Sequence, residues 1–163
     1  MKELKLRVIP DFPMIENGDD LVEIILESLE TNGCQLVSGD ILVIAQKIVS
    51  KAEGRLIALD TVQPGQEAET LAHQTEKDPR LVQLILNESA EVMRSKPGVI
   101  IVRHKLGHVG ANAGIDQSNI EQGEGDSALL LPENPDESAK LLKKTIGERL
   151  NIDIGIIIAD SMN

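Results

Sequence analysis

The chain lacks tryptophan and tyrosine altogether and has one phenylalanine, Phe12, and one cysteine, Cys34, in 163 residues. Without aromatic rings to stack on bases, recognition of single-stranded nucleic acid by an aromatic platform is excluded. The core must then be built from Ile, Leu, Val, Ala and Met. One cysteine cannot close an intramolecular disulfide, and Met1, Lys2 and Glu3 do not lead into the apolar centre of a signal peptide. A reducing cytoplasm is the expected compartment. No apolar run approaches the roughly 20 residues that span a bilayer, so no membrane partner is expected. Basic residues are also scarce: 16 Lys and Arg stand against 27 Asp and Glu, a net charge of -11. Such a balance disfavours nucleic acid and anionic membrane surfaces, both of which attract basic faces. Several motifs are missing as well. The chain has no phosphate loop, no G-x-G-x-x-G, no H-E-x-x-H, no C-x-x-C and no G-x-S-x-G, so the usual nucleotide folds, zinc proteases and serine hydrolases have no support.

What is present reads as a globular chain, 41% hydrophobic and 26% charged, long enough for one core or two small subdomains. Leu4, Leu6 and Val8 alternate with Lys5 and Arg7, which predicts a strand ending before Pro10. Asp19 and Asp20 open a predicted helix with Leu21, Ile24, Ile25 and Leu29 on one face, and Gly33 closes it. The run Ile41 to Ala45 predicts a buried strand. From Pro64 to Met93 the chain reads as mostly helical. There Asp78 and Pro79 start a helix that carries Leu81, Leu84, Ile85 and Val92 on one face. Val99 to Val102 predicts a second buried strand, followed by a glycine-rich stretch and the short apolar run Ala128 to Leu131. Asn134, Pro135 and Glu137 begin a last helix, with Lys143 and Lys144 in its C-terminal half. Ile152 to Ala159 predicts a final strand ending at Asp160. Helices and strands are interspersed without regular βα units, so the expected class is α+β, with mixed sheets and packed helices in a single domain over 1–163.

Four segments could carry chemistry. Gly107 to Asn119 is rich in small residues, and Asn112, Asp116 and Asn119 offer oxygen ligands suited to magnesium or manganese. The plain alternative is a glycine-rich turn with Asp and Asn in ordinary turn roles. Asp160 and Ser161 follow an apolar strand, where open sheets place ligand-binding groups, or else simply end that strand. Gln46 to Gly54 brings Lys47 and Lys51 to a place where an anionic phosphate would want them; solvated lysines are the alternative. His104 and His108 are four apart, but their surroundings argue for strand and turn rather than the helix that a metal pair needs. Cys34 reads as a small buried hydrophobe.

Taken in order, these segments resemble a known family. They are Phe12-Pro13-Met14-Ile15, Gly39 to Ile44 leading into Gln46-Lys47-Ile48-Val49-Ser50-Lys51-Ala52-Glu53-Gly54-Arg55, Asn112 to Asn119, Leu129 to Pro132 and Ile158-Ala159-Asp160-Ser161. Together they resemble the coenzyme F420-0:L-glutamate ligase, or F420-0:gamma-glutamyl ligase, family from Arg7 onward, over what corresponds to its N-terminal two thirds. The resemblance implies a GTP- and divalent-metal-dependent ligase that joins L-glutamate to coenzyme F420-0 by a gamma-glutamyl amide, through an acyl phosphate. It implies Asp116, Asp160 and Ser161 at the metal. Phe12, Pro13, Met14, Ile15, Gln46, Lys47, Lys51 and Asn119 would then form the nucleotide site. It further implies an intertwined homodimer of unusual α+β fold. Family members continue past the Asp-Ser pair with Gly-Arg-Pro-like residues and a later acidic or amide ligand, so a chain shortened at its C-terminus is expected. The alternative is a catalytically incomplete nucleotide-binding or interaction fragment.

Overall fold

The structure, a computed structural model, describes residues 3–117 and 126–160. Among them are five α-helices and three small sheets in an α+β arrangement, one sheet parallel and two antiparallel. The chain divides into two compact units, each with its own apolar cluster. The first holds 3–53 with 135–160, and the second holds 54–117 with 126–134. No change in composition marks either crossing, because both units draw on the same aliphatic residues.

In the first unit, α1 (Leu21–Thr31) starts where the Asp20 carboxylate accepts the N–H groups of Val22 and Glu23 at 3.0 and 3.2 Å. It stops at Gly33, whose positive φ of 59° lets Cys34 N–H return to the Leu29 carbonyl at 2.8 Å. Strand β1 (Ile41–Ala45) runs directly into α2 (Gln46–Ala52). The last helix and strand of the chain, Pro135–Leu150 and Gly155–Ala159, also belong here, and the strand pairs in parallel with β1 from Ile41↔Gly155 to Ala45↔Ala159. The core joins Ile25, Leu29, Leu42, Ile44, Val49, Ile146 and Ile154. On the opposite face of β1, Ile41 and Val43 remain 61% and 59% exposed.

The predicted strand over Leu4 to Val8 is not found. This segment pairs with no strand among the described residues, and Leu4, Leu6 and Val8 are 84–85% exposed. Alternation selects a face, but only a neighbouring edge makes a strand, and no edge among the described residues takes up these N–H and C=O groups.

In the second unit, β2 (Leu56–Ala58) leads through a 3₁₀ turn into α3 (Gln66–Thr75) and α4 (Pro79–Glu88). Strands β3 (Ser89–Lys96), β4 (Val99–His104) and β5 (Val109–Ala111) make an antiparallel sheet. Strand β6 (Ser127–Leu129) pairs with β2. The helix and strand from the first unit complete the numbering as α5 and β7. Leu59, Val82, Ile85, Ile100 and Val102 centre the core. Val92, expected on a helix face, lies in β3. The helix ends at Glu88, and the Pro97-Gly98 hairpin, with Gly98 at φ 84°, folds 89–96 onto β4 instead. The i+7 spacing from Ile85 to Val92 suits a helix, but the hairpin partner decides the outcome. No helix among the described residues is long and apolar enough to cross a membrane.

Candidate functional site

The first unit gathers one set of the residues singled out above. Phe12 and Ile15 pack on its core, which leaves Pro13 and Met14 exposed between two anchors. Gly18 N–H donates to the Ala52 carbonyl at 2.9 Å and so fastens the end of this loop to the end of α2. On α2, Lys47 and Lys51 are half-buried and stand four residues apart, on one face. Gln46 is buried, with its amide Nε2 donating to Ser50 Oγ at 2.6 Å, so part of its bonding capacity is internal. The register Ala45↔Ala159 puts Gln46 and Asp160 each one residue beyond a paired position, at the carboxyl ends of two parallel strands. That is where parallel sheets expose groups to ligands. Ser161 and Asn119 lie outside the described residues.

The second unit holds Asp116. Its backbone exchanges both hydrogen bonds with Leu129, Asp116 N–H to Leu129 carbonyl and Leu129 N–H to Asp116 carbonyl, each at 2.9 Å. Just before it, Asn112, Ala113 and Gly114 all have positive φ, at 51°, 56° and 69°. Asn112, expected as an oxygen ligand, turns Oδ1 inward to accept Ile100 N–H at 3.2 Å. Gly114 fits because its α-hydrogen faces Leu131; a β-carbon there would lie 2.9 Å from Leu131 Cδ1.

His104 ends β4 and is 3% exposed. Its Nδ1 accepts Leu106 N–H at 2.9 Å, which assigns the proton of the neutral ring to Nε2. That nitrogen, 3.7 Å from Glu88 Oε2, has no hydrogen-bond partner among the described residues. Burial, then the neighbouring His108, hold the His104 pKa below the usual histidine value. The two rings stack with centroids 4.8 Å apart, in strand and turn as their surroundings predict. Within each unit, no group of three or more described His, Cys, Asp or Glu side chains is arranged to hold a metal ion. Cys34 is half-buried and packs on the first unit's core.

One supporting pair escapes sequence reasoning. Arg55 bonds Glu88 through its guanidinium and donates from Nε to the Leu131 carbonyl at 2.9 Å, while the Arg55 carbonyl accepts Leu130 N–H at 3.1 Å. Arg55 thus ties the start of β2 to the chain that follows β6. Its only sequence signal was its place at the end of the Lys51-Ala52-Glu53-Gly54-Arg55 motif.

Residues 11–163 match the model of the F420-0:Gamma-glutamyl ligase family. The coenzyme F420:L-glutamate ligase of Methanopyrus kandleri is 44% identical over 158 residues, 97% of this chain and 60% of the relative. The enzyme of that name from Methanothermobacter thermautotrophicus is 41% identical over 94% of this chain and 60% of its own length. The one from Archaeoglobus fulgidus is 38% identical over 97% and 61%. The chain therefore spans about 60% of the length of these relatives. With that extent of matching and the motif segments placed as described, the chain belongs to the F420-0:gamma-glutamyl ligase family.

Proposed function

We propose that this chain is part of a GTP- and divalent-metal-dependent ligase that joins L-glutamate to coenzyme F420-0 through a gamma-glutamyl amide, and that it acts as a homodimer. Support comes from the names of its relatives and, within the fold, from one observation. The parallel register of β1 and β7 sets the Gln46-Lys47 corner and Asp160 at the same end of one sheet. In the reaction, the substrate carboxylate attacks the γ-phosphorus of GTP, and the bond to the bridging oxygen breaks to leave GDP and an acyl phosphate. The glutamate amine then attacks the acyl carbon, phosphate departs with the C–O electron pair, and the nitrogen loses a proton.

Both steps bring anions together, so the demand is for neutralisation and positioning. Lys47 and Lys51 supply positive charge on one face of α2, and the Phe12-Pro13-Met14-Ile15 loop and Asn119 complete the nucleotide contacts. Asp116, Asp160 and Ser161 are hard oxygen donors of the kind magnesium or manganese prefers, and a bound cation would offset phosphate charge. Asp116 suits that role because its backbone is held on both sides by bonds to Leu129.

The test is product formation. Protein is incubated with GTP, manganese, coenzyme F420-0 and glutamate, and the coenzyme is followed by mass spectrometry alongside GDP release. A coenzyme heavier by one glutamyl residue, with matching GDP, is the expected result. GDP and glutamylated product both absent while nucleotide still binds would replace this reading with that of a nucleotide-binding portion lacking turnover.

A further inference from the structure

We infer that Asn112 is a positioning residue for Asp116, acting through the left-handed turn it opens. The inference rests on the proposed role of Asp116 at the metal. Asn112, Ala113 and Gly114 occupy the left-handed region in succession, and only the last is glycine. L-residues avoid this region because Cβ crowds the following carbonyl, and Asn is among the few that tolerate it. Ala113 is neither glycine nor exposed: it is 1% accessible, with its methyl group in the second unit's core. An ordinary surface turn would put glycine at such a place. A buried alanine held there marks a backbone shape fixed by its surroundings, as strained residues near working sites are.

The surroundings that fix it are on both sides. Upstream, Asn112 Oδ1 takes the Ile100 N–H at 3.2 Å and so pins the turn to β4. Inside the turn, Ile115 N–H donates to the Asn112 carbonyl at 3.1 Å. Downstream, Asp116 is locked to Leu129 by two bonds of 2.9 Å. Only Ala113, Gly114 and the extended Ile115 separate the two anchors. Loss of the Asn112 side chain frees one anchor and lets the Asp116 carboxylate wander from the direction a cation needs. Asn112 touches no reacting group in this scheme; it works through the backbone.

The experiment uses the full 163-residue chain with Asn112→Ala, Asn112→Gly, Asn112→Asp and Asp116→Asn. Manganese affinity is read by electron paramagnetic resonance of the free ion, and amide hydrogen exchange is followed at Asp116, Leu129 and the core residue Val82. Asn112→Ala and Asn112→Gly are expected to weaken manganese about 10-fold, the scale set by groups that support metal ligands. Exchange should quicken at Asp116 and Leu129 and stay slow at Val82. Asn112→Asp keeps an acceptor and tolerates the left-handed backbone, so it should restore both readouts to near the parent. If Asn112→Ala does not fold, Asn112→Gly carries the test, since it retains the backbone freedom and loses only the acceptor. Unchanged exchange at Asp116 and Leu129 in the folded variants overturns the inference, as does unchanged manganese affinity where Asp116→Asn abolishes binding. If manganese binds the parent and Asp116→Asn equally, the metal reading fails by itself. Faster exchange at Asp116 and Leu129 then still supports positioning.

Discussion

Substitution of Gly114 by alanine tests how tightly the turn before Asp116 is packed. The new methyl group meets two penalties. At φ 69° an L-residue costs about 1–2 kcal/mol relative to glycine. The added β-carbon would also sit 2.9, 3.1 and 3.2 Å from Leu131 Cδ1, Cγ and Cδ2, and Leu131 is itself buried. Relieving such an overlap costs about 1–3 kcal/mol. Against these stands a gain of about 0.4–1 kcal/mol from a stiffer unfolded chain. The net is a loss of about 3 kcal/mol, or roughly 6–12 °C in melting temperature for a chain of this size. Gly107→Ala is the control, because Gly107 has φ 93° with nothing within 4 Å of the added atom. It should lose only the conformational part, about 1 kcal/mol. With no tryptophan or tyrosine to report by fluorescence, far-UV circular dichroism follows both melts. Equal destabilisation of the two variants would show that Leu131 yields freely and that the turn is not packed as described.

Three further outcomes follow from the same units. His104 has its folded pKa below the ordinary value of 6.5, mainly through burial, so the unfolded chain takes up the proton first as pH falls. Its contribution is complete above about pH 6.5 and is lost as pH drops toward the folded pKa, with a slope no steeper than about 1.4 kcal/mol per pH unit. His104→Gln should flatten urea midpoints measured between pH 7 and 5, and an unaltered slope would contradict the assignment. Glu88→Gln leaves Arg55 without its carboxylate in a partly buried setting and should cost about 1–2 kcal/mol in urea unfolding. A cycle with Arg55→Met that shows no coupling would refute the pairing. Lys51→Ala should weaken GTP binding at least several-fold by calorimetry while leaving the melting temperature within about 2 °C, since this half-buried side chain is not part of the first unit's apolar cluster; unchanged affinity would remove Lys51 from the nucleotide site.

Local chemistry made much of the fold readable. Asp20 and Gly33 bound α1 because an N-cap carboxylate and a left-handed C-terminal glycine are local devices. Asp78-Pro79 marks the start of α4 for the same reason. The apolar runs at Ile41 and Val99 announce β1 and β4. What escaped depends on distant partners. Leu4, Leu6 and Val8 have the pattern of a strand but no edge to join among the described residues, and Val92 has helical spacing but a hairpin partner in β4. The candidate residues show the same division. Residue types suggested Asp116, Asp160, Lys47 and Lys51, and the pairing of Ala45 with Ala159 explains why a strand-end Asp and a helix-start Lys share a sheet end. The inward turn of Asn112 and the tie from Arg55 to Leu131 follow from contacts many residues apart, which spacing does not encode.

The proposal that these residues form a metal and nucleotide site is tested most directly by thermal unfolding with manganese alone, GTP alone and both together. A ligand that binds only the native state must raise the midpoint. The account predicts a rise that is largest with both ligands together and disappears in Asp116→Asn and in Asp160→Asn, each folded as the parent is. No rise with both ligands, or a rise that survives in both variants, would contradict it.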